Sequence, residues 1–227
     1  MTAFTSTEYA AILLSLKVAT VATLVSLPFG FVLAYFMTYR NFRGKVALDV
    51  MVNLPLTLPP VVIGYILLVL LGQKGLIGLL LQPLGIKLIF TWKAAVIATS
   101  VVGFPLLVRS IRIGMETIDL TLIQAARTLG AGRLDCMLTI ILPLSLRGII
   151  AGSALMFARG LGEFGATIIV AGNVPGVTQT IPLAIYEYAS SPGGDSMAMA
   201  LCAVSVAISV AVLIFHEYLS RRMIREG

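Results

Sequence analysis

Five apolar segments, each long enough to cross a lipid bilayer, decide what this chain can fold into. A helix needs about 20 apolar residues to cross the hydrocarbon core of a membrane. The segments that meet this requirement are Ala10–Tyr39, Val46–Leu71, Trp92–Ile113, Leu144–Ala171 and Ser196–Leu219. Because backbone groups in lipid must find hydrogen bonds within their own segment, the sequence predicts an all-α, polytopic membrane helix bundle.

The composition excludes a water-soluble fold. Of the 227 residues, 59% are hydrophobic and 11% are charged, whereas soluble domains are about 45–50% apolar and about 25% charged. The five segments occupy most of the chain, so a single membrane domain is predicted over residues 10–219. A further apolar run, Leu76–Leu84, is too short to cross and is bracketed by Gly75 and Gly85. It predicts an interfacial or re-entrant helix.

The positive charges predict how the bundle is oriented. With the N-terminus outside, the cytoplasmic side holds eleven basic residues and the outer side four. The eleven are Arg40, Arg43, Lys45, Arg109, Arg112, Arg127, Arg133, Arg147, Arg221, Arg222 and Arg225, and the four are Lys17, Lys74, Lys87 and Lys93. Because Lys and Arg concentrate in cytoplasmic loops, five spans with the N-terminus outside and the C-terminus inside are predicted.

The polar connection between the third and fourth segments, residues 114–143, is longer than a turn between membrane helices requires. Asp119 is a suitable N-cap for a helix that follows it. Leu122, Ala126 and Leu129 then recur at intervals of four and three residues, which places them on one stripe of that helix. The connection therefore predicts a short amphipathic helix on the cytoplasmic side.

Glycine and proline set the limits of this helix. Gly130 supplies a left-handed stop and Gly132 a second break, while Pro143 opens or kinks the next helix. Gln124 and Arg127 face away from the apolar stripe. The pattern predicts a compact, rigid helical knob that could dock to a partner, and the alternative is a solvated loop with no partner.

Charged residues lie in the middle of the fourth segment. Burying one charge at the centre of a membrane helix costs roughly 2.5–3.5 kcal/mol. Arg159 and Glu163 are four residues apart, so they share a helix face and can partly neutralise each other. Gly160, Gly162 and Gly165 permit close approach of another backbone or a locally unwound segment. The sequence leaves two readings open, a pathway or gate for an anion and a structural pair between helices.

A proline cluster interrupts the second segment. Pro55, Pro59 and Pro60 each remove a backbone hydrogen bond, which a membrane helix tolerates only where neighbours or water replace it. Asn53 lies just before this cluster. A kink that faces the pathway is one interpretation, and a kink that serves packing is the other.

Several kinds of chemistry have no motif in this chain. There is no Gly-x-x-x-x-Gly-Lys-[Ser/Thr] loop to hold ATP phosphates, no His-Glu-x-x-His and no paired catalytic carboxylates. The lone His216 cannot build a metal site, and Cys136 and Cys202 have no metal-ligand spacing. We therefore predict a protein that is not an enzyme, has no metal and no cofactor of its own, and draws energy from another subunit.

Residues Gln124-Ala-Ala-Arg through Gly130 to Ile141-Leu-Pro143 resemble the coupling loop of ABC-importer permeases, which sits in a groove of the ATPase subunit. The family's motif has Glu where this chain has Gln124, so the salt bridge that the acid would make is not expected here, and a hydrogen bond from the Gln124 amide could replace it. The residues that the resemblance implies for coupling are Leu122, Gln124, Ala125, Ala126, Arg127, Thr128, Leu129, Gly130, Ala131, Gly132 and Pro143.

A second resemblance indicates which class of substrate is transported. Arg159-x-x-Gly-Glu163-Phe-Gly165 is similar to a motif of permeases for tetrahedral oxyanions, and Asn53–Pro60 and Thr180–Tyr186 add to that likeness. The overall pattern is most similar to the molybdate branch, with tungstate as a related cargo. Residues implied for the translocation pathway are Asn53, Pro59, Pro60, Arg159, Gly162, Glu163 and Gly165.

The resemblance implies a type I ABC importer permease fold and a multi-pass protein of the inner membrane. It also implies a homodimer surrounded by lipid, cytoplasmic ATPase subunits that bind ATP and Mg, and an extracytoplasmic molybdate-binding protein. No nucleic-acid partner is implied. Two alternatives stay open, a sulfate or thiosulfate permease of the same architecture and a non-transport membrane enzyme or assembly factor.

Overall fold

The computed structural model describes residues 4–225, with side chains described as far as Tyr218. Every regular element in this part of the chain is helical, as predicted. The helices are α1 (Ser6–Tyr39), α2 (Lys45–Thr57), α3 (Pro60–Leu71), α4 (Leu76–Leu81), α5 (Trp92–Glu116), α6 (Leu120–Thr128), α7 (Arg133–Cys136), α8 (Leu142–Leu144), α9 (Leu146–Leu161), α10 (Gly165–Ala171), α11 (Ile181–Ala189) and α12 (Asp195–Arg225). A 3₁₀ turn (Gln82–Leu84) follows α4, and a π-helical turn (Met137–Ile141) joins α7 to α8.

Within the described residues, four helical stretches are long and apolar enough to cross a membrane, and a fifth qualifies if one bent pair is counted as a span. Three of them, α1, α5 and α12, match the first, third and fifth predicted segments. The arginines predicted to anchor the C-terminal end (Arg221, Arg222 and Arg225) lie outside the part whose side chains are described.

The second predicted segment, Val46–Leu71, is wrong as a single continuous helix. The helix α2 ends at Thr57, Pro59 is extended with ψ of 133°, and Pro60 starts α3. Since proline cannot donate a hydrogen bond, the pair ends one helix and is well placed to begin another. The stretch that has the length and hydropathy of a span is instead Pro60–Leu84. Within it, Leu76–Leu84 forms the short helix α4 and a 3₁₀ turn, separated from α3 by the non-helical residues 72–75. An interfacial or re-entrant position for this run stays a prediction.

The fourth predicted segment, Leu144–Ala171, is also wrong as one helix. Residues 162–164 are not helical and separate α9 from α10. The pair that meets the length and hydropathy of a span is Arg133–Leu144 with Leu146–Leu161, bent by 65°. The bend follows Pro143, which cannot donate a hydrogen bond inside a helix, so the prediction of a kink there is confirmed.

The helix α5 lies at the centre of the bundle and packs against α1, α9 and α10. Small residues allow this, because a Cβ added at Gly148 would lie 2.7 Å from the carbonyl oxygen of Ser110 and 3.0 Å from the Cα of Gly114. The Ser110 hydroxyl donates to the Gly148 carbonyl over 3.1 Å. Close contact of small residues is how helices gain packing energy in lipid, where apolar burial alone gives none.

The helix α11 joins α1 to α12 at the predicted outer end. The Ser15 hydroxyl accepts from the Ile181 backbone N–H over 2.7 Å. The Tyr188 hydroxyl donates to the buried Glu8 carboxylate. That bond to Glu8, together with partial burial, raises the pKa of Tyr188 to about 12. The contacts fix the short outer helix to the start of the first span.

Candidate coupling and pathway sites

The predicted cytoplasmic helix is present as α6. Its N-cap is Asp119, whose Oδ1 accepts from the Thr121 backbone N–H over 2.9 Å. That hydrogen bond lowers the pKa of Asp119 below its ordinary value, because it favours the charged carboxylate. The carboxylate is thus ionised near neutral pH and stays in the capping position.

A tight turn ends α6. Gly130 has φ of +92°, a left-handed conformation that favours glycine. The Gly130 and Ala131 N–H groups donate to the carbonyls of Arg127 and Ala126 over 3.1 and 3.0 Å. The Gly132 N–H then donates to the Asp135 carboxylate over 3.0 Å and starts the next helix. The predicted stop at Gly130 and break at Gly132 are both confirmed.

The apolar residues of α6 divide between two surfaces. Ile123 packs partly buried against the core of the bundle. By contrast, Leu122 is 49% exposed and Leu129 is 89% exposed. Two further leucines, Leu120 and Leu134, extend this apolar surface with more than half of their area exposed. Exposed leucines at a helical hairpin indicate a surface that another protein covers.

Most of the other residues predicted for coupling are accessible to a partner. Gln124, Ala125, Thr128 and Pro143 are exposed, and Ala126 is half-buried. The Thr128 hydroxyl donates to the Ala125 carbonyl over 2.7 Å, which tightens the last turn of α6. Their grouping into one docking element and their contact with an ATPase stay predictions.

The base of α6 is anchored in the bundle. Met115 and Ile118, at the end of α5 and just after it, are buried. The Tyr39 hydroxyl at the end of α1 donates to the Met115 carbonyl over 3.0 Å. Since α5 is packed along its length, a force on α6 reaches the centre of the bundle through few flexible bonds.

The buried charge predicted in the fourth segment lies at the gap between α9 and α10. Glu163 is 2% exposed, and its Oε1 accepts from the Ala166 N–H over 2.9 Å. This places a negative charge at the positive end of α10. The other oxygen lies 2.8 Å from Arg159 Nη2, a contact of opposite charges without the alignment of a hydrogen bond. The predicted pair of Arg159 and Glu163 is thus present.

The break between α2 and α3 adjoins the break between α9 and α10. A Cβ added at Gly165 would lie 3.0 Å from the Pro60 Cβ, and one added at Gly64 would lie 2.9 Å from the Ala166 Cα. The sequence offered close packing or unwinding as alternatives for the glycines near Glu163, and both occur. Gly162 is exposed in the gap, and a Cβ added there would meet only the Arg159 carbonyl oxygen, at 3.9 Å.

Asn53 lies apart from this gap, in a second place that the sequence did not single out. It lines a cavity of about 450 Å³ between α2 and α5, together with Arg109, Arg112 and Glu116. The Asn53 amide donates to the Asp49 carbonyl over 2.8 Å. Arg109, Arg112 and Glu116 follow at intervals of three and four residues on α5. That spacing was the signal that could have placed them on one face.

This cavity balances opposite charges. Arg112 contacts Asp49 over 3.2 Å and Glu116 over 2.8 Å. Arg109 makes no ion pair with any described residue. The two arginines and the two carboxylates that line the cavity therefore carry equal and opposite charge.

Cysteine, histidine and carboxylate side chains form no metal-binding cluster of three or more within the described residues. Cys136 is buried beside α6, and Cys202 is exposed on α12, each as a free thiol. What the sites present is instead charge at helix breaks and an exposed docking surface.

Taken together, helical spans, broken helices around a buried charge and an exposed helical hairpin define a membrane transport component. The chain belongs to the family of binding-protein-dependent transport system inner membrane components, whose family model matches residues 26–225.

Relatives match along nearly the full chain. The molybdenum transport system permease protein ModB of Escherichia coli K12 is 51% identical over 96% of this chain and 95% of its own length. The protein of that name from Haemophilus influenzae is 49% identical over 95% of each chain.

Among solved structures, the fold is similar to a bacterial alginate ABC transporter in complex with an alginate pentasaccharide-bound periplasmic protein. The TM-score is 0.75 and the identity 19%, and the match covers 96% of this chain and 80% of the other. It is also similar to the inward-facing MetNI methionine ABC transporter, with TM-score 0.69, 16% identity and coverage of 96% and 99%. The predicted type I importer permease fold is therefore confirmed.

Proposed function

We propose that this chain is the membrane-spanning permease of an ABC importer that brings molybdate, and tungstate as a related oxyanion, across the inner membrane. The observation that carries this is the 51% identity to a molybdenum transport permease over 96% of the chain. At this identity and coverage, both the docking hairpin and the charged gap fall within the matched length.

Two copies of the chain form one pathway at their interface, and each copy receives one cytoplasmic ATPase on α6. The half-exposed Leu122 and the almost fully exposed Leu129 support this partner, since apolar side chains at a hairpin tip are the usual core of an interface. The ATPase supplies ATP and Mg binding, and this chain makes and breaks no covalent bond. A molybdate-binding protein docks at the outer side.

The broken helices supply the passage. In transport proteins, helices interrupted near mid-membrane place charge and free backbone groups beside the substrate. Here the break at Pro59–Pro60 adjoins the break at Gly162–Gly165, and Arg159 stands at the gap with its side chain 33% exposed. The Glu163 carboxylate offsets part of the arginine charge. A partly neutralised arginine attracts an oxyanion without holding it tightly, which release requires.

Energy reaches this passage through α6. ATP binding closes the ATPase pair and draws the two α6 helices together. Because α6 continues from the buried end of α5, the motion tilts α5 and the helices packed on it. The bundle then faces outward and accepts the anion, and hydrolysis returns it to the inward-facing state.

Reconstituted transport tests the proposal. The permease, its ATPase and a binding protein loaded with molybdate, tungstate or sulfate are placed in proteoliposomes, and ATP hydrolysis and anion uptake are measured. We expect the molybdate-loaded protein to stimulate hydrolysis several-fold and to drive uptake. Stimulation by the sulfate-loaded protein alone would identify a sulfate permease. Failure of the chain to bind any ATPase would refute the importer role.

A further inference from the structure

A cleft of about 220 Å³ lies between the end of α1 and the helical hairpin of α6 and α7. Three arginines from three separate elements line it, namely Arg40, Arg127 and Arg133. Its walls are apolar and aromatic, with Ile123 among the apolar side chains and Tyr35 among the aromatic ones. The cleft therefore combines apolar walls with three positively charged side chains.

No ion pair within the described chain involves the three arginines of the cleft. The residues that line the cleft include no Asp and no Glu. Three like charges around one small space repel one another, and an anion that enters the space relieves the repulsion.

The position of the cleft indicates which anion it meets. Tyr35 and Tyr39 lie at the end of the first span, with ring centres 5.4 Å apart, and tyrosines favour the interface between lipid and water. On the neighbouring face of α1, Val32 and Phe36 are 48% and 47% exposed. An acyl chain can therefore lie along α1 while its headgroup reaches the arginines.

We infer that this cleft binds the phosphate headgroup of an anionic phospholipid from the cytoplasmic leaflet. Arginine guanidinium groups pair with phosphate oxygens through two parallel hydrogen bonds, and clusters of basic residues beside a span attract anionic lipids. The lipid would tie α1 to the hairpin and so fix the angle at which α6 leaves the membrane.

The cleft and the exposed leucines use different sides of α6, and two residues that the sequence predicts for coupling, Gln124 and Arg127, lie on the cleft side. Ile123, Gln124 and Arg127 line the cleft, whereas Leu122 and Leu129 are exposed on the hairpin. One helix can thus bind lipid on one side and a protein on the other. The inference rests on the charged cleft and is independent of which anion is transported.

Retention of lipid by the purified transporter complex tests this site. The complex is prepared in nanodiscs of phosphatidylcholine with added phosphatidylglycerol and transferred to detergent, and the lipids that remain bound are identified by native mass spectrometry. The test variant is Arg40→Gln with Arg133→Gln, which spares the coupling residue Arg127. The matched control is Arg43→Gln, an exposed arginine of the same region that does not line the cleft.

We expect the unmodified complex and the Arg43→Gln control to retain phosphatidylglycerol in preference to phosphatidylcholine. Each cleft arginine removed should weaken apparent lipid affinity about fivefold, and Arg→Lys replacements, which keep the charge, should restore part of it. The complex should also hydrolyse ATP with less stimulation in pure phosphatidylcholine, and inorganic phosphate should not substitute.

Three results would overturn the inference. One is equal retention of both lipids by the unmodified complex. Another is displacement of phosphatidylglycerol by inorganic phosphate, which would make free phosphate the ligand. The third is loss of the ATPase subunit from the double variant while lipid retention stays unchanged, since the cleft would then belong to the ATPase interface. A complex that never imports molybdate but still retains lipid would refute the proposed cargo and leave the lipid site intact.

Discussion

At the scale of single residues, the surroundings of Arg159 and Glu163 make the two charges unequal. The Glu163 carboxylate is 2% exposed, while the Arg159 side chain is 33% exposed. A charge with access to water loses little when its partner is removed, whereas a buried charge that loses its partner is strongly destabilised. Removing Arg159 should therefore lower the stability of the protein more than removing Glu163.

We expect Arg159→Gln to lower the free energy of unfolding by about 2–3 kcal/mol, because it leaves the Glu163 carboxylate buried and without a counter-charge. Glu163→Gln should cost about 1 kcal/mol, since the amide oxygen can still accept from Ala166 and Arg159 can turn to water. Thermal unfolding of the purified protein in detergent measures both changes. Equal costs would mean that the pair is equally exposed at both ends.

The contribution of the Asp119 cap to the stability of α6 depends on pH. Its pKa is lowered in the folded state, so its contribution is present above the ordinary aspartate value of 3.8 and is lost as pH falls through the lower folded value. Near neutral pH the cap is fully charged, and small pH changes should leave it intact.

Asp119→Ala should therefore speed amide hydrogen exchange in the first turn of α6 several-fold at neutral pH, and it should weaken coupling between ATP hydrolysis and transport. Asp119→Asn keeps an oxygen acceptor and should retain most of the protection. Hydrogen exchange measured by mass spectrometry over residues 119–123 distinguishes the two. Unchanged exchange in the alanine variant would show that the cap does not hold the helix.

At the scale of elements, two glycine positions show how much room a helix contact leaves. The crossing of α5 and α9 at Gly148 has no space for a methyl group, whereas a Cβ at Gly162 would meet only the Arg159 carbonyl, at 3.9 Å. Packing at the first position depends on the absence of a side chain, and packing at the second does not.

Gly148→Ala should destabilise the bundle by about 1–3 kcal/mol, because α5 and α9 must separate to admit the methyl group. Gly162→Ala is the matched control and should change the unfolding temperature little. Yield and thermal unfolding in detergent report the difference. Equal stability of the two variants would contradict the close crossing seen between α5 and α9.

The turn after α6 allows a second comparison between glycines. Gly130 and Gly176 have φ of +92° and +74°, and nothing lies within 4 Å of an added Cβ at either position. A side chain there would meet no steric clash, and its only cost would be the strained backbone conformation. Replacement by alanine should cost about 1 kcal/mol at either site. Only Gly130 follows the proposed coupling helix.

Gly130→Ala should reduce transport per ATP hydrolysed, while Gly176→Ala should leave that ratio unchanged at a similar loss of stability. The ratio is measured in proteoliposomes that contain the whole complex. Equal ratios in both variants would argue that the turn after α6 carries no coupling.

At the scale of the whole molecule, the orientation in the membrane decides what α6 can touch. The excess of arginine and lysine on one side predicts α6 in the cytoplasm, where an ATPase is available. Exposed positions on the two predicted sides, Arg43 and Val177, allow a direct test.

Single cysteines at these positions, in a chain with Cys136 and Cys202 replaced by alanine, should differ in reactivity. In intact spheroplasts, a membrane-impermeant maleimide should label Val177→Cys, and it should label Arg43→Cys only after permeabilisation. Wild-type transport by the background chain is the control for folding. The reverse labelling pattern would place α6 outside and remove the coupling role.

Local chemistry explains what could be predicted from the sequence alone. The cap at Asp119, the stop at Gly130 and the pairing of Arg159 with Glu163 depend on residues within one or two helical turns, and the three unbroken spans depend on hydropathy along a single helix. Such contacts are set by helix geometry, so spacing along the chain is sufficient to find them.

The sequence did not predict where the long apolar segments are broken. Hydropathy averages over a window, so it joined α2 to α3 and α9 to α10 across breaks that single residues impose. A proline can kink a membrane helix or end it, and only the packing around Pro60 decides which.

Sequence by itself determined the class, the helical composition and the pieces of the docking hairpin, because these follow from hydropathy and local backbone preference. Tertiary structure alone decided that the two breaks adjoin, that Asn53 shares a cavity with Arg112, and that Arg40 shares one cleft with the hairpin arginines. Those neighbours are separated by tens of residues, and their contact depends on how α5 packs against the rest of the bundle.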